Sequence, residues 1–476
     1  ETLAGKIREG VNKHLWIPEK GYYGQFLYGR NYKIISPRSE ALGEALTVLF
    51  GIADEGRSKQ LVENTPVNAF GITCIYPQIP GIPPYHNNAV WPFVQSYWAI
   101  AAAKAGNEES VMQSLAAIYR PAAMFLTNKE NFVATNGDFL GTQINSSNML
   151  WSLSGNMSMV YKVLFGMNFN ANSLEFKPFV PEKLQGTQTL NNFKYRNAIL
   201  DISMKGHGNK IHSISMDGKL LNDATIPGNL RGKHNIVILL DNNELSGSKT
   251  NLLGSHFSPA TPVVAYDKKM LVWGAVKGAV KYQIIRNGKE VAAVTQTNVW
   301  VNEGPYAEYQ VIAIDSLGVP SFASEPVQVG YNEKSVKIIE METIVPKEKL
   351  PYKGFTGQGF VEVNKQKNTM ISINLEVPEA GTYAIDFRYA NGNGPTNTEN
   401  KCAIRTLMNG KDIAGTFVFP QRGKGEWSDW GYSNPVEMKL EKGKINLKLV
   451  LTPANENMNG EINQALLDHL RLIKLD

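Results

Sequence analysis

Apolar and polar positions change their period along this chain, from a helical pattern to a β pattern. Up to about residue 165, apolar residues recur at three- and four-residue spacing, which predicts amphipathic helices. From Leu174 onward the period drops to two, as in Leu200, Ile202 and Met204, which predicts strands. The apolar faces of four predicted helices are formed by Leu42, Leu46, Leu49, Phe50 and Ala53; by Phe93, Val94, Tyr97, Ile100 and Ala101; by Val111, Leu115, Ile118 and Tyr119; and by Leu150, Leu153, Met157, Val160, Tyr161 and Leu164.

Capping and turn residues place some of these elements more closely. Ser36-Pro37 combines a capping serine with a first-turn proline, and predicts the beginning of the helix that contains Leu42. Two later helices are expected at about 108–125 and 147–165. The segment 215–219, with Asp-Gly at its centre, predicts a tight hairpin turn.

The change of pattern divides the chain into four predicted domains. We expect a helical block at 1–165 and three all-β sandwiches at 166–250, 257–331 and 335–476. Ser246-Gly247-Ser248, with Pro259 and Pro262 after it, is typical of a linker.

Composition excludes some classes of protein. The 476 residues carry a formal charge of +5, and no run of Lys or Arg forms a stripe, so a nucleic-acid partner is not expected. The two cysteines, Cys74 and Cys402, fall in different predicted domains, which argues against a disulfide framework. No stretch reaches 18 apolar residues, and no signal peptide opens the sequence. A processed exported protein would look the same.

Residues 85–93 form an aromatic, amide-rich loop that leads into a predicted helix. Flat Tyr and Trp rings stack on pyranose faces, while His and Asn offer donors and acceptors to hydroxyl groups. The loop is therefore a candidate sugar site, formed by Tyr85, His86, Asn87 and Trp91. The alternative is a loop that only packs its rings against the end of a helix.

This loop resembles the "YHNG-x-VWP" loop of the six-hairpin (α/α)6-barrel glycosidases, with Asn88 where Gly is common. Leu15-Trp16 followed by Gly21-Tyr22-Tyr23 is similar to the entry loop of these barrels, and the segment 36–54 to a barrel helix and its exit. The superfamily includes glycogen-debranching enzymes, trehalases, α-L-rhamnosidases, cellobiose phosphorylases and glycoside hydrolase family 63. The resemblance covers about 250 residues and implies that Trp16 belongs to the sugar site.

The resemblance also implies a catalytic base. The segment 129–137 is similar to the "ENY-x-P-x-TG" loop of family 63 and mannosylglycerate-hydrolase-like enzymes, although Ala134 and Asn136 deviate from it. In those enzymes the Glu activates water in an inverting reaction, which implies that role for Glu130. Asp138 is the reserve candidate. A solvated loop carboxylate is the other interpretation of both residues.

The general acid of these families is an Asp in the first half of the barrel, and no matching Asp precedes His86. Twelve helices of ordinary length need at least roughly 200 residues, and only four or five are predicted here. We therefore expect only the later part of a toroid. The chain would then be a fragment, or another chain would supply the rest. Such a partial ring should expose apolar helix faces and pair with the missing part or with itself.

The three β blocks carry resemblances of their own. Residues 166–250 resemble the sandwich that closes many six-hairpin enzymes, and 257–331 resemble a fibronectin type III domain.

Residues 335–476 resemble carbohydrate-binding modules of families 6 and 35. That last resemblance implies a structural Ca²⁺ held by Glu340, Glu342 and Asp468, since hard cations take several oxygen ligands. Solvated charges at strand edges are the alternative. It also implies sugar contacts by Tyr389, Trp427 and Trp430, whereas Leu466 replaces an Asn that these families often have.

Together these features predict an exported bacterial glycoside hydrolase, periplasmic, secreted or at the cell surface. It would act on α-linked oligo- or polysaccharides by an inverting two-carboxylate mechanism without a catalytic cofactor. The alternative is a non-catalytic glycan-binding protein that uses the C-terminal module.

Overall fold

The computed structural model describes residues 2–245, 249–301, 304–330, 335–394 and 400–476. The chain divides into two compact units, and it is a multidomain protein composed mostly of β-sheets. Unit 1 contains residues 1–27, 35–260 and 317–320, and unit 2 contains 28–34, 261–316 and 321–476.

Six α-helices are described before residue 165, all in unit 1: α1 (Thr2–His14), α2 (Ala41–Leu49), α3 (Glu55–Asn64), α4 (Pro92–Ala105), α5 (Glu108–Phe125) and α6 (Leu150–Ser158), which continues as a π-helix (Met159–Leu164). The prediction at 108–125 matches α5. The sequence pattern missed α1 and α3. None of the described helices is long and apolar enough to cross a membrane.

The predicted beginning of α2 was wrong. The helix begins at Ala41, and Ser36-Pro37 precede it in extended chain. The residue that caps it is Glu40, whose carboxylate accepts hydrogen bonds from the backbone N–H groups of Leu42 and Gly43. A carboxylate can replace Ser at this position because it satisfies the same free N–H donors.

The core of unit 1 is centred on α4. Trp98 of α4 is fully buried, and its indole N–H donates to the hydroxyl of Ser110 on α5 at 3.0 Å. By contrast, α6 exposes several apolar side chains, which agrees with the expectation of uncovered helix faces: Leu150, Trp151, Leu153 and Met157. The partial toroid itself remains a prediction.

Short strands hold the loops between the helices: Trp16–Ile17, Tyr22–Tyr23, Leu27–Tyr28, Ile34–Ile35, Ser39–Glu40, Pro66–Val67, Ile75–Tyr76, Ala89–Val90 and Phe132–Val133. Two of these pairings position residues that line a cavity. Ser39–Glu40 pairs with Ile75–Tyr76, and Ala89–Val90 pairs with Phe132–Val133, both antiparallel.

The second block of unit 1 contains a three-stranded and a five-stranded sheet. Its core is formed by alternating residues such as Leu200, Ile202, Ile236 and Ile238, as the period of two predicts. The turn Asp217-Gly218 has positive φ at both positions, which is the geometry of the expected hairpin. The eight strands of these sheets are Met167–Phe169, Ser173–Phe176, Gly186–Tyr195, Asn197–Gly206, Ile211–Met216, Lys219–Leu220, Thr225–Pro227 and Arg231–Leu240, and the strand Asn251–Leu252 follows them outside both sheets.

The described part of the predicted linker is bonded to the helical block and is not a free connection. Ser246, Gly247 and Ser248 lie outside the described residues, but 249–260 run back along the helical block. Asn251–Leu252 pairs with Pro66–Val67, and the Ser255 hydroxyl donates to Asn88 Oδ1 at 2.9 Å. These bonds make the segment part of the wall of unit 1.

Unit 2 contains two blocks of strands. The first forms a three-stranded and a four-stranded sheet around the buried Trp273, with strands Val264–Asp267, Met270–Trp273, Ala279–Arg286, Lys289–Val294, Asn298–Trp300, Ala307–Asp315 and Val327–Val329. The second forms a six-stranded and a four-stranded sheet, with strands Val336–Glu340, Val361–Val363, Met370–Val377, Gly381–Ala390, Ala403–Asn409, Asp412–Phe419, Gly431–Tyr432, Val436–Leu440, Gly443–Val450 and Ala465–Lys474. Its last strand pairs with its first, which brings Glu340 beside His469.

Residues 28–34 belong to unit 2, whereas the sequence pattern assigned them to the helical block. The buried carboxylate of Glu308 holds this segment. It accepts hydrogen bonds from the Asn31 amide at 2.7 Å and from the Asn31 backbone N–H at 3.0 Å. No periodicity signals such an exchange, because it depends on partners almost 280 residues away.

Candidate functional site

A cavity of about 460 Å³ lies in unit 1, at the aromatic loop. It combines carboxylate, aromatic and aliphatic side chains. The described residues that line it are Glu40, Leu42, Cys74, Ile75, Tyr85, His86, Trp91, Phe93, Val94, Glu130 and Trp151. Four of the predicted site residues, Tyr85, His86, Trp91 and Glu130, are therefore brought together.

The two short pairings described above position these side chains. The pairing of 89–90 with 132–133 places the aromatic loop beside Glu130, although about 40 residues separate them in sequence. The pairing of 39–40 with 75–76 places Glu40 beside Cys74, and burial and the negative charge of Glu40 raise the pKa of that thiol. The site is thus assembled from four loops and the first turns of α2, α4 and α6.

Glu130 is 7% exposed, and its two carboxylate oxygens have different surroundings. Oε1 accepts a hydrogen bond from the hydroxyl of Tyr85 at 3.1 Å. Oε2 is buried and has no hydrogen-bond partner among the described residues. Partial burial and the bond to Glu130 raise the pKa of Tyr85, so Tyr85 stays a donor at neutral pH. A buried acceptor without a donor is costly, which makes Oε2 a place where a ligand donor would be stabilised.

Aromatic rings form a continuous wall around the carboxylates. The ring of His86 lies 4.6 Å from that of Tyr85 and 5.2 Å from that of Trp91. The indole N–H of Trp91 donates to the Tyr85 carbonyl at 2.7 Å, which fixes its orientation. At the rim, Trp151 is 55% exposed and packs edge-on against Phe93 at 4.7 Å. This wall offers both enclosed and open ring faces for stacking.

Three predicted site residues lie elsewhere. The amide of Asn87 is buried and bonds to the backbone of Ile79 and Ile82, so it shapes the loop and does not line the cavity. Trp16 packs against Tyr23 at 4.9 Å, outside the cavity. Asp138 accepts the Leu140 N–H at 2.9 Å in a tight turn, also outside it.

The sequence interpretation missed Glu40, Cys74 and Trp151 as cavity residues. Glu40 lies between the predicted helix start at Ser36-Pro37 and the observed start at Ala41, and the strand pairing at 39–40 places it at the cavity. Trp151 falls in the helix predicted at 147–165 but not on its predicted apolar face, and its exposure is a tertiary property.

The predicted cation ligands of unit 2 surround one loop, 356–358. The Gln358 N–H donates to Glu342 Oε1 at 2.6 Å, and the Thr356 N–H donates to Asp468 Oδ1 at 2.9 Å. The Thr356 hydroxyl lies 3.0 Å from Glu340 Oε2. Burial, together with the charges of Asp468 and Glu342, raises the pKa of Glu340.

The predicted ligands of unit 2 meet some of the requirements of a cation site. Oε2 of Glu342 is buried without a described partner, and a cation would satisfy it. Glu340, Asp468 and His469 can each bring one ligand atom within 4.8 Å of the others. Asp468, however, already forms an ion pair with Arg388, which supplies positive charge at the same place.

The predicted sugar-contacting aromatics of unit 2 differ in exposure. Tyr389 is 3% exposed and packs against Phe419 in the core, so the prediction of an open stacking face was wrong there. The cause is register: Tyr389 lies on the inner side of its strand. Trp427 and Trp430 are only partly buried, and Trp427 stacks on Tyr352 at 5.9 Å.

Comparisons with known proteins give partial matches. No protein-family model matches the chain. A segment of 121 residues is 35% identical to a cycloisomaltooligosaccharide glucanotransferase from Niallia circulans, covering 25% of this chain and 11% of that enzyme. A segment of 106 residues is 32% identical to an exo-beta-D-glucosaminidase from Amycolatopsis orientalis, covering 22% of this chain and 10% of that enzyme.

Among solved structures, a family 35 carbohydrate-binding module from Clostridium thermocellum matches with a TM-score of 0.21 and 21% identity, over 30% of this chain and 96% of that one. The chain thus shares segments with carbohydrate-active enzymes, but each segment spans about a tenth of the curated relative.

Proposed function

We propose that this protein is a glycoside hydrolase that acts on α-linked glycans with inversion, and that Glu130 is the base that activates water. The observation that carries the proposal is the environment of Glu130. Its carboxylate is buried in an aromatic cavity, is oriented by the Tyr85 hydroxyl, and keeps one oxygen without a described partner.

The chemistry requires two carboxyl groups. An acid protonates the glycosidic oxygen as the C–O bond breaks, while the base removes a proton from the water that attacks the anomeric carbon. The resemblance to six-hairpin glycosidases implies an Asp as acid. The segments shared with the glucanotransferase and the glucosaminidase support a glycan as substrate.

The test uses the complete enzyme and a panel of α-linked oligosaccharides, with proton NMR to identify the first anomer released. Glu130→Gln keeps shape and hydrogen bonding but removes the base, so kcat should fall by at least about 10²-fold while substrate still binds. Asp138→Asn is the matched control and should stay within a few-fold of the parent. If Asp138→Asn loses activity and Glu130→Gln does not, the role of base belongs to Asp138. If neither variant matters, the proposal fails.

A second candidate function is glycan binding by the C-terminal module without catalysis. The partial exposure of Trp427 and Trp430 favours it. In that case a structural Ca²⁺ at Glu340, Glu342 and Asp468 would stabilise the module, and the protein would hold polysaccharide without cleaving it. Under either function we propose an exported bacterial protein whose partners are oligo- or polysaccharides, with the remaining part of the barrel as a further partner.

A further inference from the structure

The cavity of unit 1 contains two acidic groups, and His86 is the one basic side chain among its described lining residues. Glu40 and Glu130 both line it, and none of the eleven described lining residues is Lys or Arg. The other lining groups that can form hydrogen bonds are Cys74, Tyr85, His86, the Trp151 indole and the Trp91 indole, which is already bonded to a carbonyl. The two carboxylates are the lining groups that only accept when ionised.

Two backbone N–H groups orient the carboxylate of Glu40. Its oxygens accept hydrogen bonds from the backbone N–H groups of Leu42 at 3.3 Å and Gly43 at 2.7 Å, in the first turn of α2. Free N–H groups give the beginning of a helix a partial positive charge, which stabilises a carboxylate. Each oxygen still has a further lone pair for a ligand.

Glu130 adds a second requirement for the ligand. Its Oε2 is buried and has no described partner, so a group placed there must donate a hydrogen bond. Hydroxyl and ammonium groups of sugars are donors, whereas carboxylate and sulfate groups only accept. An anionic group would therefore leave Oε2 unsatisfied and would also be repelled by two like charges.

The expected size of this discrimination follows from Coulomb's law. At a separation of about 8 Å and an effective dielectric constant near 20, each like charge disfavours an anion by roughly tenfold or more in affinity. A cation gains by a similar factor, and the Tyr, Trp and Phe rings of the wall add cation–π attraction for an ammonium group.

We propose that this cavity selects sugars that carry no negative charge, and that Glu40 is the residue that sets the selectivity. The ligand class is a neutral hexose, or an amino sugar with a free ammonium group, and uronic or sulfated sugars are excluded. This inference rests on the proposed function, because it requires that the cavity holds a sugar.

The test measures binding to the full chain by calorimetry at neutral pH. The probes are matched trios of one ring configuration: glucose, glucosamine and glucuronate, and the same three forms of galactose and mannose. We expect the amino sugar to bind at least as tightly as the neutral one, and the uronate at least about tenfold more weakly than the neutral sugar. A uronate that binds as tightly as its neutral counterpart overturns the proposal.

Substitutions test which residue causes the weaker binding of uronates. Glu40→Gln keeps an amide oxygen for the α2 cap and should shrink the neutral-to-uronate ratio by roughly tenfold. Asp54→Asn is its control, because Asp54 caps α3 in the same way and lies outside the cavity. Trp151→Ala should weaken all binding, which shows that the cavity is the place measured. An unchanged ratio in Glu40→Gln removes Glu40 as the determinant. If no sugar binds at all, the proposed function fails together with this inference.

Discussion

The hydroxyl of Tyr85 donates a 3.1 Å hydrogen bond to Oε1 of Glu130, although 45 residues separate them in sequence. Tyr85 was predicted as a sugar contact and Glu130 as a base, from two unrelated motifs. Their contact makes Tyr85 a positioning residue for the carboxylate as well.

Removal of this hydroxyl should impair the reaction step more than binding. Tyr85→Phe keeps the ring for stacking but leaves Glu130 without its donor. Because hydrogen bonds to charged groups contribute roughly 1.5–3 kcal/mol, we expect kcat to fall by about tenfold or more, with a smaller change in KM. Steady-state kinetics on the best substrate measures this. Tyr97→Phe, on the exposed side of α4, is the control. A change confined to KM would mean that Tyr85 only binds the sugar.

Stability should depend on pH through Glu44, which is buried in α2 and accepts the Tyr23 N–H at 3.0 Å. Burial, with a smaller effect of Glu40, raises the pKa of Glu44 well above its usual value. A raised folded pKa gives a stability contribution that is complete below the unfolded pKa and is lost as pH rises through the folded pKa.

Glu44→Gln stays neutral at every pH and should therefore stabilise the protein near pH 8, with little effect near pH 4. Urea unfolding across that range measures the difference. Glu9→Gln, on the exposed side of α1, should show no such trend. A variant that is less stable at pH 8 would contradict the prediction.

A cation in unit 2 should be visible in thermal unfolding. Three carboxylates around one loop repel one another, so chelator should lower the melting temperature of the full chain, and added Ca²⁺ should restore it. Glu342→Gln removes the oxygen without a described partner and should abolish the response to Ca²⁺. Glu441→Gln, an exposed carboxylate in the same block, should keep it. If chelator leaves the melting temperature unchanged, the Arg388–Asp468 ion pair stabilises these carboxylates without a cation.

Glycan binding by unit 2 should depend on Trp427. Trp427→Ala should weaken binding of a soluble polysaccharide roughly tenfold in affinity electrophoresis, since a stacked ring is lost. Trp300→Ala removes an exposed Trp elsewhere in unit 2 and should have no effect. Equal binding by both variants would assign any glycan affinity to other residues.

The sequence by itself determined the elements and the chemistry within single segments. Periodicity located α4, α5 and the alternating strands around Leu200 and Ile236, because helix and strand expose their faces at fixed intervals. The motifs marked Tyr85, His86, Trp91 and Glu130, which share one cavity. Local patterns suffice where neighbouring residues decide the outcome.

The tertiary structure decided what depends on distant partners. The pairing of residues 39–40 with 75–76 places Glu40 at the cavity. The register of its strand puts Tyr389 on the buried side. Hydrogen bonds to Glu308 hold residues 28–34 in unit 2. Whether a carboxylate faces solvent, a helix end or a second carboxylate depends on which chain segments pack beside it. The spacing of residues along the sequence does not predict which segments pack together.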